Sequence, residues 1–268
     1  SSSYYTGGIA GMNQKTITNA KNTGTVTSDK GYIGGIIGYN WANAAGAEIK
    51  VTNAANYGNV ESNGNYTGGV IGYNQVQGDN SKITLENITN SGNVKTTNTA
   101  GTHVGGIIGY NHAKGKSSVI TINNTSNSGV VSGGLSSKYL SYAGGIIGYS
   151  SAEGAGSHIS IKAAGNKGSV TATGICVGGI FGSVESSAGT TTIIEDCINN
   201  GYLENIRSNT GGIAGDVEGI YNADIDNYNI TIKNVKNSGN IKLPENGEAT
   251  SIGGCIGSRS EERRVGKE

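Results

Sequence analysis

Ile83-Thr84-Leu85-Glu86-Asn87-Ile88-Thr89-Asn90-Ser91-Gly92-Asn93-Val94, read with the upstream Gly68-Gly69-Val70-Ile71-Gly72-Tyr73-Asn74, decides the fold. Ile83 and Leu85 alternate with polar residues, the signature of a half-buried strand. Asn90-Ser91-Gly92 supplies a turn, since Asn and Gly both tolerate left-handed backbone angles. Val94 then opens a further short extended run. The pattern recurs along the chain. A Gly-Gly-x-x-Gly block starts at Gly7, Gly34, Gly68, Gly105, Gly144, Gly178, Gly211 and Gly253, at intervals of 27, 34, 37, 39, 34, 33 and 42 residues. Between copies lies Asn-x-Gly-x-(Val/Ile/Leu), with its Asn at 22, 56, 90, 127, 166, 199 and 237. The distance from Gly-Gly to this Asn is 22 residues for four consecutive copies, Gly34 through Gly144, so length variation falls mostly after the Asn block. A fixed frame with adjustable loops on one side fits that spacing.

Each unit reads as several short strands, three of which carry a legible pattern. The first is the apolar pair inside the Gly block, such as Ile36-Ile37 or Ile107-Ile108. The second carries Ile49/Val51, Ile83/Leu85, Ile120/Ile122, Ile159/Ile161 and Ile230/Ile232. The third centres on Val26, Val60, Val94, Val131, Val170, Leu203 and Ile241. One unit has too little apolar surface to offset its ordering entropy, roughly 1–2 kcal/mol per residue for the backbone alone. Stacking removes the deficit, because each unit then buries its faces against its neighbours. The expected fold is all-β: a right-handed parallel β-helix (β-solenoid) of about eight repeats, one rung per repeat, its rungs about 4.8 Å apart. A β-propeller is the alternative, because its blades also repeat with glycine pairs. Against it stand the shorter intervals and a single Trp, Trp41.

The bulk numbers exclude several classes. The chain has 268 residues with 47 Gly but one Pro, which rules out collagen and disfavours helices. Its 19 basic and 19 acidic residues balance, leaving no electrostatic case for nucleic acid. No apolar run approaches the length of a membrane span, so no membrane insertion is expected within this fragment. Residues 1–257 read as a single solenoid domain, a fragment of a larger protein. Residues 258–268 read as a charged non-repeat tail, disordered or artefactual, with six of its last eight residues charged.

The Gly-Gly-Ile-Ile-Gly-Tyr-Asn stretches at Gly34–Asn40 and Gly105–Asn111, and Ile83–Val94 with its Asn-Ser-Gly-Asn-Val ending, resemble the GLUG-motif repeat. The resemblance covers residue 7 to about 257. It implies a bacterial secreted or cell-surface protein of adhesin-like type, with a host or cell-surface protein or glycan as partner, and extracellular or surface localisation. The family also includes repeat regions of IgA-cleaving metallopeptidases. An accessory repeat domain of a secreted peptidase or polysaccharide-degrading enzyme is therefore the alternative function. The family offers no catalytic residues to transfer.

The residues themselves offer little chemistry. Gly34-Gly35-Ile36-Ile37-Gly38 lacks the Gly-Lys-Ser/Thr of a phosphate-binding loop, and its glycines fit a sharp rung corner. His103, His112 and His158 make no metal motif. Cys176, Cys197 and Cys255 form no C-x-x-C pair, and an odd count makes a disulfide framework an unlikely design. No cofactor and no catalytic activity are expected. Two features remain as candidates. Tyr39, Tyr73, Tyr110 and Tyr149 form a column, and Asn40, Asn74 and Asn111 follow the first three; this reads either as a contact strip for a partner or as a ladder that stabilises the stack. Asp216, Glu218, Asp224 and Asp226 form the densest acidic stretch, a weak Ca²⁺ candidate set against a solvated loop.

Overall fold

A computed structural model describes residues 4–133, 141–205, 209–220, 229–242 and 251–260. The described residues contain no helix. Their strands form four parallel sheets running the length of a β-solenoid. The middle rungs show the plan: Tyr66–Gly68, Ile71–Val76, Lys82–Asn90 and Val94–Thr96 lie in the first, second, third and fourth sheets respectively. Each strand pairs with its counterpart one repeat away, so one repeat makes one rung, as its spacing predicts. Ile49, Ile83, Ile120 and Ile159 stand in direct register, all at most 1 % exposed. Parallel pairing of equivalent residues excludes the radial blades of a propeller.

Each rung carries one strand more than the three whose pattern is legible in the sequence. There are four, not three, because the Gly block is a corner rather than a strand. Gly34 closes the strand Tyr32–Gly34, and Ile37 opens the strand Ile37–Ala42, with Gly35 and Ile36 at the bend between them. The extra strand is only three residues long and carries no alternation for a periodicity argument to detect.

The interior divides into two apolar compartments. One lies between the second and third sheets and holds Ile37, Ile49, Val51, Ile71, Ile83, Leu85 and their repeats. The other lies between the first and fourth sheets and holds Ile33, Val60, Val94, Val104 and Val131. At the waist between them runs an unbroken amide ladder. Each Nδ2 donates to the next Oδ1 through Asn22, Asn56, Asn90, Asn127, Asn166, Asn199 and Asn237, over 2.8–3.0 Å. Each interior amide also closes its own turn; Asn90 Nδ2 donates to Gly92 O at 2.7 Å. A buried polar chain stabilises only when every member is satisfied, and here each amide bonds along the ladder and across its turn.

The ladder explains the constant 22-residue spacing. Asn90 packs against the second Gly of its own repeat: a Cβ on Gly69 would lie 2.5 Å from Asn90 Cγ and 2.1 Å from Gly106 O. The Gly-Gly block and the Asn block are therefore two halves of one cross-section, and the chain length joining them cannot vary freely.

A second device shapes the third sheet. Asn19, Asn53, Asn87 and Asn124 occupy the same rung position with φ of 51–56°, as do Ala163, Asp196 and Asn234 at 52–57°. This left-handed residue shifts the inward alternation by one, so Ile83, Leu85, Ile88 and Asn90 all face the interior. Asn accepts that conformation more readily than other L-residues.

At the far end the strand Ile256–Ser260 continues past the boundary drawn at residue 257, pairing with Ala214–Ile220. Residues 261–268 lie outside the described residues.

Candidate functional site

The first and second sheets meet at a corner where backbone approaches backbone. A Cβ on Gly72 would lie 2.5 Å from Ile33 N and 2.7 Å from Gly38 O, so only glycine lets the two strands close to this distance. The closeness brings two columns of side chains together on the outer side of the corner. From the first sheet come Tyr5, Tyr32, Tyr66, His103 and Tyr142. From the second come Met12, Tyr39, Tyr73, Tyr110 and Tyr149.

The rings interdigitate. Within the second column, Tyr39 and Tyr73 stack with centroids 5.1 Å apart at 9°, and Tyr73 and Tyr110 at 4.9 Å and 15°. Within the first, Tyr32 and Tyr66 stack at 4.8 Å. Between columns most contacts are edge to face, as for Tyr66 with Tyr73 and Tyr110, each 5.2 Å away, while Tyr142 and Tyr149 stack at 4.9 Å. These are the offset and T-shaped arrangements that the ring quadrupole favours.

The phenol tips are also engaged. A third column, two residues beyond the second, runs Trp41, Gln75, His112, Ser151, Glu185 and Glu218. Each tyrosine reaches across to the next rung of it. Tyr39 donates to Gln75 Oε1, and Tyr73 bonds His112 Nδ1 at 2.7 Å. Tyr110 meets Ser151 Oγ at 3.0 Å, and Tyr149 donates to Glu185 Oε2. Burial pushes the hydroxyl pKa of Tyr39, Tyr73, Tyr110 and Tyr149 well above the usual phenol value. Burial also lowers His103 to about 4, so it stands neutral among the rings.

The tyrosine column exists as read, and the structure brings Tyr39, Tyr73, Tyr110 and Tyr149 together. Over Tyr39, Tyr73 and Tyr110 it does not offer open aromatic faces, because each is covered by the neighbouring rings and they are only 6–8 % exposed, whereas Tyr149, followed in its column by Ser183, is half-buried. What reaches solvent is the half-buried part of the first-sheet column, Tyr5, Tyr32, Tyr66 and His103, with Tyr149, the Trp41 edge and Tyr4, which is 50 % exposed. The asparagines require a firmer correction. Asn40, Asn74 and Asn111 are 0 % exposed and face the interior, where they form a second amide ladder from Asn13 with Nδ2 to Oδ1 distances of 2.8 Å. A partner on the outer face cannot touch them. Adjacent residues of a strand point to opposite sides, so Tyr and Asn in sequence cannot share one surface.

No family model, curated protein or solved structure matches the chain.

One arrangement has the outline of a proton relay: Tyr73 hydroxyl, His112 Nδ1, and His112 Nε2 3.0 Å from Glu153 Oε2. A nucleophile needs a lowered pKa and access. The Tyr73 hydroxyl is shifted upward and its ring is sandwiched between Tyr39 and Tyr110. The geometry serves packing. The cysteines are similar: Cys176 and Cys197 are buried and free, their thiols pushed up by burial, Cys197 to about 11.

The acidic stretch falls partly within the described residues. Asp216 and Glu218 lie on the strand Ala214–Ile220, stacked on Ser183 and Glu185, rather than in a solvated loop. Asp224 and Asp226 lie outside the described residues. Among the described residues no three His, Cys, Asp or Glu side chains come together to hold a metal ion. No described helix is long and apolar enough to cross a membrane.

The columns that sequence reasoning missed are the first-sheet aromatics and the Trp41-to-Glu218 column. The first had a readable signal, an aromatic ring two residues before the Gly pair at Tyr5, Tyr32, Tyr66 and Tyr142. The second had none, since its residue type changes at nearly every rung.

Proposed function

We propose that this chain is a non-catalytic structural or adhesive repeat segment of a bacterial cell-surface or secreted protein, a stiff rod that presents a lateral surface to a partner. The reading is supported by one observation above others: the repeated asparagines and tyrosine rings bond or stack on their own counterparts one rung away, and the tyrosine hydroxyls bond side chains of the next rung. The Asn22–Asn237 ladder, the tyrosine column and the hydroxyl contacts all run along the rod axis. Such repetition builds length and stiffness, since stability grows as a sum of neighbour interfaces. An enzyme would instead concentrate unlike groups at one rung. The resemblance to GLUG-motif repeats points the same way.

The lateral contact surface in this reading is the first–second sheet corner. The half-buried first-sheet rings offer edges there, which suits a protein partner better than a sugar ring needing a flat aromatic face. The test is protease shaving and antibody labelling of intact cells that express the parent protein. Surface accessibility of this segment is the expected result. Confinement of the parent to the cytosol overturns the proposal.

A further inference from the structure

Trp41, Tyr39 and Tyr73 form an unbroken run of rings. Trp41 stacks on Tyr39 with centroids 5.3 Å apart at 17°, and Tyr39 stacks on Tyr73 at 5.1 Å and 9°. Trp41 is half-buried and its indole N–H donates to the exposed Gln77 side chain at 3.1 Å, so this end of the run meets solvent. Tyr73 lies deeper, sandwiched between Tyr39 and Tyr110 and 7 % exposed. Such enclosure bars a side chain from attacking a substrate. It does not bar electron transfer, because tunnelling falls off exponentially with the gap between π-systems and rings in contact leave almost none.

The hydroxyls of the tyrosine column differ in what can take their proton. Tyr39 donates to the Gln75 amide oxygen and Tyr110 meets the Ser151 hydroxyl, neither of them a base at neutral pH. Tyr149 donates to Glu185, but burial pushes that carboxyl toward the neutral acid. Tyr73 faces an imidazole, His112 Nδ1, at 2.7 Å. That imidazole is set to accept. Its Nε2 lies 3.0 Å from Glu153 Oε2, which keeps the ring proton there and leaves the Nδ1 lone pair for the phenol. Gln75 Nε2, which can only donate, lies 3.5 Å from the same Nδ1. Glu153 is held below the usual carboxylate range, first by its bond to His112, so it stands ready to stabilise an imidazolium. Burial raises the Tyr73 hydroxyl, so the phenol keeps its proton at neutral pH until an electron leaves with it. A path for an electron and a base for a proton therefore meet at one ring.

We propose that this part of the corner is a one-electron relay, with Trp41 as its port and Tyr73 as the seat of a buried phenoxyl radical. The substrate class is a one-electron oxidant, such as the carbonate radical. The oxidant takes an electron from the Trp41 indole and leaves the indole cation radical, since an indole can be oxidised before it loses a proton. An electron then passes from Tyr73 through the Tyr39 ring to Trp41 and restores the indole. In the same step the Tyr73 hydroxyl proton moves along its hydrogen bond to His112 Nδ1. The balance is one electron on the oxidant, a neutral phenoxyl radical at Tyr73, and an imidazolium facing Glu153. Tyr39 passes the electron but cannot keep the radical, because the Gln75 amide has no place for its proton. Rings on both faces of Tyr73 prevent two such radicals from coupling. A one-electron donor such as ascorbate reverses the step, the proton returning from His112. This activity goes beyond the display reading and does not depend on it.

The experiment is flash-quench oxidation of the whole chain by photogenerated tris(bipyridine)ruthenium(III), followed by transient absorption. Trp41 is the only Trp, so the indole signal reports one site. The broad visible band of the indole radical is expected to decay as the sharp near-ultraviolet band of a phenoxyl radical rises, and that phenoxyl is expected to outlive the radical of free tyrosine at least tenfold. H112Q removes the base but leaves an amide such as the preceding rung already carries at Gln75, so it is expected to keep the fold, and its melting curve checks this. Its indole radical is expected to persist and its long-lived phenoxyl to fall at least tenfold. Y57F/Y202F, which alters two exposed tyrosines outside the corner, and E185Q are expected to leave both signals unchanged. Should H112Q unfold, Y73F gives the second reading: the ring stays in the stack and the same tenfold loss is expected. Failure of the indole radical to convert, a long-lived phenoxyl retained in folded H112Q or in Y73F, or an equal loss in Y57F/Y202F or E185Q overturns the proposal.

Discussion

Replacing Asn90 by alanine removes three interior hydrogen bonds at once. Asn90 Nδ2 donates to Gly92 O at 2.7 Å and to Asn127 Oδ1 at 2.8 Å, and Asn90 Oδ1 accepts from Asn56 Nδ2 at 2.8 Å. Each bond contributes about 1 kcal/mol net, and the stranded Asn56 N–H adds a desolvation cost of about 1–3 kcal/mol. Asn90→Ala is therefore expected to destabilise by about 4–6 kcal/mol. Asn87→Gly is the control. Asn87 is exposed and has φ +56°, and its ladder bonds to Asn53 and Asn124 lie in solvent, so a change within about 0.5 kcal/mol is expected. Asn90→Asp sharpens the test. A carboxylate accepts only, so it sets acceptor against acceptor at Asn127 Oδ1 and Gly92 O. It should cost more than alanine at neutral pH and less on acidification, when its proton restores one donor. Because a solenoid can open locally, native-state hydrogen exchange is the suitable assay. The amides of Tyr57, Ser91 and Ser128 carry rung-to-rung bonds beside the ladder at 2.8, 2.9 and 2.9 Å. If Asn90→Ala costs under about 1 kcal/mol, or no more than Asn87→Gly, the ladder does not stabilise the waist and the reasoning fails.

Other outcomes follow from the same geometry. Gly69→Ala places a methyl 2.1 Å from the Gly106 carbonyl, where backbone must move, and is expected to exceed the usual ~3 kcal/mol of overpacking and lower the melting temperature accordingly. Ala163→Asn, which puts the preferred residue at φ +52°, is expected to stabilise by about 1 kcal/mol, read as a rise in denaturant midpoint. Raised folded-state pKa values at Glu185, Asp216 and Glu218 mean that the folded chain binds extra protons above the ordinary carboxylate range; protection of the Ala214–Ile220 amides is therefore expected to rise as pH falls from 7 toward 5, and E185Q/E218Q to flatten that slope. Glu153, lowered first by its bond to His112, has the opposite sign, and its contribution is lost as pH falls through its lowered value. Thiol labelling of the native chain is expected at the exposed Cys255 alone, with Cys176 and Cys197 reacting only after denaturation.

Periodicity by itself determined the solenoid, the parallel register and the membership of the columns. Ile49, Ile83, Ile120 and Ile159 could be aligned on paper because each repeat carries its own ruler, the distance from Gly-Gly to Asn, and β-branched alternation names the inward face without any long-range knowledge. The Tyr39 column was readable for the same reason. Tertiary structure alone decided which side of the wall each column faces, because a corner at Gly35-Ile36 and a left-handed residue at Asn87 both reset the inward–outward alternation, and neither leaves a mark on a two-residue period. Hence Asn40 turned inward while Tyr39 stayed outside. The meeting of Gly69 with Asn90 was hidden too, since their contact is made across the rung's interior and depends on where four strands bend. So was the meeting of Tyr73 with His112 and Glu153: the three are scattered along the chain and become neighbours only when successive turns are laid one on another.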